Sequence, residues 1–277
     1  MSSSFWRSEY SGNVQGGSVH CTGAYWQLLS KEVRSSKLVL LLSVSAIIAL
    51  DVFLATRTAK WQEELVAGLA WMPLALLHFY ALFSGTMSFS QEWRGNHMHL
   101  VLSLPVRGWQ ILSAKTLSTF CETVAITLVT MGGASLLGLG PVATLLRNTG
   151  VAPNAVPAGL AYKLVILATA LLWFSVVAVI IAVQFSYIAG RMFQRSGGLV
   201  MVWTFLLSLW GLFRLMSVVT PALRWLPDLP FQVWSNVNGL ISLRTVHLDS
   251  APFMVAALWM LALFAAGSWL LERHVEV

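Results

Sequence analysis

Apolar residues in this chain gather into six long runs, Leu38–Ala55, Leu65–Phe89, Trp109–Leu139, Leu160–Ala189, Leu199–Val219 and Pro252–Leu271, parted by short polar stretches. A run of about 20 mostly apolar residues is what an α-helix needs to cross the hydrocarbon of a bilayer, with every backbone N–H and C=O satisfied inside the helix. The pattern predicts an all-α polytopic membrane protein with six transmembrane helices. The third and fourth runs exceed the length required, so their ends are expected to tilt or to project into water. Ahead of the first span, Tyr25, Leu29 and Val33 recur every fourth residue while Gln27, Ser30, Lys31 and Arg34 face elsewhere. That spacing predicts an amphipathic helix lying at the membrane surface. The Ser- and Gly-rich residues before it read as a tail. The chain divides accordingly into residues 1–37, tail and interface helix, and residues 38–277, the six-span domain.

Composition changes the class more than the fold. With 57% hydrophobic and 10% charged residues and a mean hydropathy of +0.73, the chain is too apolar for a soluble domain of its length. The formal charge of +6 would suggest a nucleic-acid partner in a soluble protein. Here the basic residues sit at span ends, where they meet lipid headgroups, and no nucleic-acid partner is expected. Alternating six spans divides the 17 Lys and Arg into ten and seven, with Lys31, Arg34 and Lys37 crowding the start of the first span. The bias places both termini in the cytoplasm, with the chain integral to the plasma (inner) membrane. Cys21 and Cys121 lie in the tail and inside a span, which gives no disulfide framework. The first twenty residues lack the apolar core of a cleavable signal peptide.

The longest polar interruption runs from Gln91 to Lys115. Within it Met98, Val101 and Leu102 fall at i, i+3 and i+4, the spacing of one helix face, and Glu92, Arg94, Asn96 and His97 surround them. Pro105 lacks a backbone N–H and forces Leu104 out of the α region, so a helix here must end. A short amphipathic helix between the second and third spans is therefore expected. This stretch, with Glu92, Gly95, Leu102-Ser103-Leu104-Pro105, Arg107 and Lys115, resembles the first cytoplasmic loop of bacterial ABC exporter permeases of the type V fold. Asn96 stands where that family commonly has Thr. The likeness of layout covers nearly the whole chain, and the likeness of motif covers this loop.

The resemblance implies that the loop is a coupling helix docked on a separate cytosolic ATPase, through Glu92, Arg94, Gly95, Met98, Val101, Leu102, Leu104, Pro105 and Arg107. It implies a second permease, identical or not, and ATP and Mg held by the partner ATPase, with no cofactor in this chain. It also makes the second and fifth spans the lining of a path between two permeases. In the fifth span Thr204, Ser208, Gly211 and Leu215 share one face, which on residues alone reads only as a surface for close packing.

Polar groups inside the spans supply the remaining candidates. Thr116, Thr119, Thr123, Thr127 and Thr130 form a stripe along the third span, with Glu122 on its flank and Lys115 expected to reach back to the interface. An acid at the centre of a span costs about 2.5–3.5 kcal/mol on insertion scales, so Glu122 should face protein or water. Two readings stand: a transport-path or proton-linked acid, or a hydrogen-bonded group that, with the threonines, holds helices together. His78 in the second span has the same two readings, and Asp51 is expected to be a hydrated residue at the end of the first. The stretches Pro141–Gly159 and Thr220–Ser250 read as outer connections, the second as short helices at the interface.

No G-x-x-x-x-G-K-[ST] phosphate loop, H-E-x-x-H or G-x-S-x-G occurs, and the expectation is a transport subunit and not an enzyme. The reading is the permease subunit of an ABC exporter. The alternative is an ion-coupled carrier using Glu122.

Overall fold

The computed structural model describes residues 21–58, 60–94, 107–148, 158–193, 196–223, 225–237 and 240–274. Among the described residues there are six α-helices: α1 Cys21–Arg57, α2 Glu63–Arg94, α3 Gly108–Asn148, α4 Ala158–Arg191, α5 Gly197–Val219 and α6 Ala251–His274. All six are long and apolar enough to cross a membrane, and the protein is membrane-embedded. Successive helices alternate in direction, so the start of α1, the end of α2 and the start of α3 lie at the same end of the bundle.

Helices α3 and α4 form the centre. Helices α1 and α2 each pack along α3, while touching one another little, and α5 and α6 pack on α4 from the other side. Small residues set the closest approaches. A Cβ on Gly211 would lie 3.0 Å from the indole of Trp259 in α6, and one on Gly190 would lie 2.6 Å from the carbonyl oxygen of Gly197. The latter approach lets α4 turn directly into α5.

Several expectations are revised. The amphipathic stretch before the first span is not a separate interface helix, because α1 runs unbroken from Cys21 through Lys37 and on to Arg57. At about 1.5 Å per residue that helix is far longer than the hydrocarbon, so its first turns extend the span and do not lie across its end. Leu28 is buried beside Ile111 and Ala114 of α3, which explains why the stretch continues the helix: its apolar stripe has a protein neighbour. Helix α3 likewise runs past Pro141 to Asn148. Ala143, Leu145 and Leu146 are good helix formers, and one proline removes only one backbone donor.

The outer segment is also different. In place of short helices, Thr220–Leu223 makes one 3-10 turn, followed by the strands β1 Leu229–Val237 and β2 Leu240–Leu248. They pair antiparallel in the register Leu229↔Leu248 to Val237↔Leu240. The sequence did contain the signal: Asn238-Gly239 is the favoured two-residue hairpin connection, and Val233, Ile241 and Val246 suit strands. Asp249 makes the turn into α6: its Oδ1 accepts the Ala251 N–H at 2.9 Å, an Asx turn, and the Ser250 carbonyl then accepts the first helical N–H, from Met254, at 3.2 Å.

Candidate functional site

A polar cleft of about 200 Å³ opens between α1 and α2 and is floored by α3. It exists because the two outer helices both follow α3 without closing on each other. Helix α1 supplies Lys31, Glu32, Ser35, Ser36 and Val39, α2 supplies Ser84, Met87, Ser88 and Gln91, and α3 supplies Lys115, Ser118, Thr119 and Glu122. Spacings of three, four and seven put each set on one helix face.

Lys115 does not reach back to the interface. Its side chain is 1% exposed and its ammonium donates to Glu32 Oε1 at 3.0 Å and to the Ser88 carbonyl at 2.8 Å. It also lies 5.0 Å from the centre of the Phe89 ring. One cation thus joins α1, α2 and α3. The physical reason is local supply: a carboxylate and a backbone oxygen within reach satisfy the ammonium where it stands, and snorkelling is unnecessary. Sequence reasoning missed Glu32. Its signal was its place, four residues after Leu28 and seven after Tyr25, on the stripe that packs inward.

Glu122 is 5% exposed. Its Oε2 accepts hydrogen bonds from Tyr80 at 2.8 Å and Ser84 at 3.0 Å, both from α2. Oε1 has no hydrogen bond among the described residues, and Glu122 forms no ion pair there. The threonine stripe divides around it. Thr119 lines the cleft, whereas Thr123, Thr127 and Thr130 are buried and donate to the carbonyls of Phe120, Thr123 and Ile126. Thr116 bonds the Leu112 carbonyl and also Gln184 Oε1 of α4 at 2.8 Å. Part of the stripe is therefore helix packing and part is cleft wall.

The other sequence candidates are scattered. His78 turns to α4, where its Nε2 lies 2.9 Å from Ser175 Oγ. Ser175 Oγ also lies 2.8 Å from the Leu172 carbonyl, to which it donates. His78 and Glu122 line different clefts, and the structure does not bring them together. Asp51, expected to be a hydrated end residue, is half-buried against Gly133 of α3, with Oδ1 buried and unpartnered among the described residues. In α5 Ser208 is buried, and its carbonyl accepts the Trp259 Nε1–H at 3.1 Å; Thr204 is half-buried on the same helix. The face holding Ser208 and Gly211 is thus packed against α6 of the same chain.

Of the proposed coupling residues, Glu92 and Arg94 fall in the last turn of α2. Gly95, Met98, Val101, Leu102, Leu104 and Pro105 lie outside the described residues. Arg107 precedes α3, its carbonyl accepting the Gln110 N–H at 2.9 Å while Gln110 Oε1 accepts the Arg107 N–H at 3.1 Å. Both borders of the segment are fixed. On one side the Arg191 guanidinium of α4 sits 5.2 Å over the Trp93 ring and donates to Tyr187 Oη at 2.8 Å. On the other, the Gly108 N–H donates to Glu272 Oε1 of α6 at 3.0 Å.

This geometry defines a six-helix membrane protein with a buried ion pair and a laterally open polar cleft. Comparison with protein-family models, curated proteins and solved structures found no match to the chain.

Proposed function

We propose that the protein is the permease subunit of an ABC exporter, in which two permeases pair with two cytosolic ATPase subunits that bind ATP and Mg. Both termini are cytoplasmic in this reading, and residues 92–107 are the handle on which the ATPase acts. The observation that carries it, beside the resemblance of the loop, is the fixing of both its borders. Trp93 is held beneath Arg191, and Gly108 is tied to Glu272. A push on the loop would thus be delivered to α2, α3, α4 and α6 together, which a free connector would not do.

Replacing Val101 and Leu102 together by Asp places unpaired charge in the proposed contact, a cost of several kcal/mol if it is dry. The double variant should still insert and pair with its fellow permease in mild detergent, while losing a co-purifying soluble ATPase. If no ATPase accompanies even the unaltered chain, the exporter reading fails.

A second reading, an ion-coupled carrier, is favoured by one feature, the buried Glu122 at the wall of an open cleft. It predicts transport that tracks an ion gradient and persists without nucleotide.

A further inference from the structure

The polar cleft does not end at Glu122. One helical turn further along each wall, from Val39 to Ser43 on α1, Ser84 to Tyr80 on α2 and Glu122 to Ile126 on α3, a second groove of about 290 Å³ begins. Its lining is apolar: Ile47, Leu50, Met72, Leu76, Leu77 and Ile126 among others. The three helices advance in the same sense, so the second space follows the first along one seam between α1 and α2, with Tyr80 between them. Tyr80 marks the junction, since it lines the apolar half and donates its hydroxyl to Glu122 in the polar half. Along α1 the apolar half spans Ser43 to Leu50, about 10 Å at 1.5 Å per residue. That is a large part of the roughly 15 Å depth of one leaflet.

We propose that this seam binds an amphiphile whose cationic amine lies directly at the head of an apolar chain, with the ammonium on Glu122 and the chain in the groove. The order of groups along the seam selects the class. The carboxylate stands at the very junction with the apolar half, which places a positive charge next to the chain. A phospholipid has its phosphate next to the chain and its ammonium farther out, so its anion would meet Glu122. Farther up the cleft the Glu32–Lys115 pair is already matched in sign and Lys31 is exposed, a full turn or more from Glu122, while Ser84, Ser88 and Thr119 offer hydroxyls to a polar amine substituent. Entry is lateral, because the seam faces the surroundings of the bundle along its length.

The inference goes beyond the exporter reading, and binding requires no ATPase, so the two can fail separately. The purified full chain in nanodiscs of zwitterionic lipid is titrated at pH 7 with labelled dodecylamine, dodecanol and dodecanoate, and binding to empty nanodiscs is subtracted. An alkylamine is protonated at this pH, as the lysine side chain is. The amine should bind about tenfold or more tightly than the alcohol, the difference expected of a charge-assisted contact in a water-poor site. Glu122→Gln should abolish that preference and leave alcohol binding in place. Ala46→Trp, at an exposed position on the apolar half, should weaken both. Equal binding of amine and alcohol, binding of the carboxylate as tight as that of the amine, or indifference to Ala46→Trp overturns the proposal. The comparison of the three ligands and the Ala46 variant decide it even if Glu122→Gln does not fold.

Discussion

Lys115→Met tests whether the bundle is held by a buried charge pair. The side chains of Lys115 and Glu32 are 1% and 8% exposed, and the ammonium also holds the Ser88 carbonyl, so the pair is shielded from water. Removing the cation takes from the buried Glu32 carboxylate its ion-pair partner at 3.0 Å, at a cost of about 3–5 kcal/mol. Glu32→Gln is milder, because Lys115 keeps Ser88 and the face of Phe89, and about 1–3 kcal/mol is expected. Replacing both, as Glu32→Gln with Lys115→Met, removes the buried carboxylate charge together with the attraction, and the double variant should recover much of the Lys115→Met loss. The assay is reversible unfolding of the detergent-solubilised chain by added denaturing detergent, read by circular dichroism. If Lys115→Met costs less than about 1 kcal/mol, or the single losses simply add in the double variant, the pair is not the buried link described.

Two further outcomes follow from single contacts. Gly133→Ala places a Cβ against the Asp51 carboxylate and should cost about 1–3 kcal/mol in the same assay, with the loss relieved by adding Asp51→Ala. In a background with Cys21 and Cys121 replaced by Ser, a membrane-impermeant thiol reagent added outside whole cells should label Asn154→Cys and not Ser3→Cys, and labelling of Ser3→Cys would reverse the proposed orientation.

Much of the architecture was legible because a membrane span has one dominant signal. Six apolar runs gave six helices, since nothing but an internally bonded helix suits such a run in hydrocarbon. Ends were less legible. Helix α1 absorbs the stretch Ala24–Lys37 because Leu28 finds Ile111 and Ala114, and no local pattern in that stretch announces a partner some eighty residues away. For the hairpin the signals conflict: Asn238-Gly239 favours a tight turn, whereas Pro221, Pro227, Pro230, Trp225 and Trp234 suit short interfacial helices. Glu122 could be singled out from its depth, but Tyr80 and Ser84 could not, because their meeting with it depends on how α2 is rotated against α3. Lys115 was visible and its destination was not. A cation near a span end has a default route to water, which only a nearby acid on another helix can override.

The border at Gly108 is where the fold and the proposed function meet. The first N–H groups of a helix have no partners within it, and a carboxylate placed there satisfies one and faces the positive end of the helix dipole. Glu272 does this for α3 from the last turn of α6, and the backbones are so close that a Cβ on Gly108 would lie 2.9 Å from the Ser268 carbonyl oxygen. Glu272 is exposed, so water replaces much of what Glu272→Ala removes, and the loss should be about 1 kcal/mol, as for a helix cap. Glu272→Gln keeps an acceptor and should lose less. Gly108→Ala should lose more, about 1–3 kcal/mol, because the oxygen it strikes belongs to a helix backbone that cannot swing aside as a side chain does. Under the exporter reading Gly108→Ala should also lower permease-stimulated ATP hydrolysis, since it shifts the loop border against α6. A Gly108→Ala chain as stable as the parent would show that α3 and α6 do not meet this closely, and the rigid border on which coupling depends would be lost.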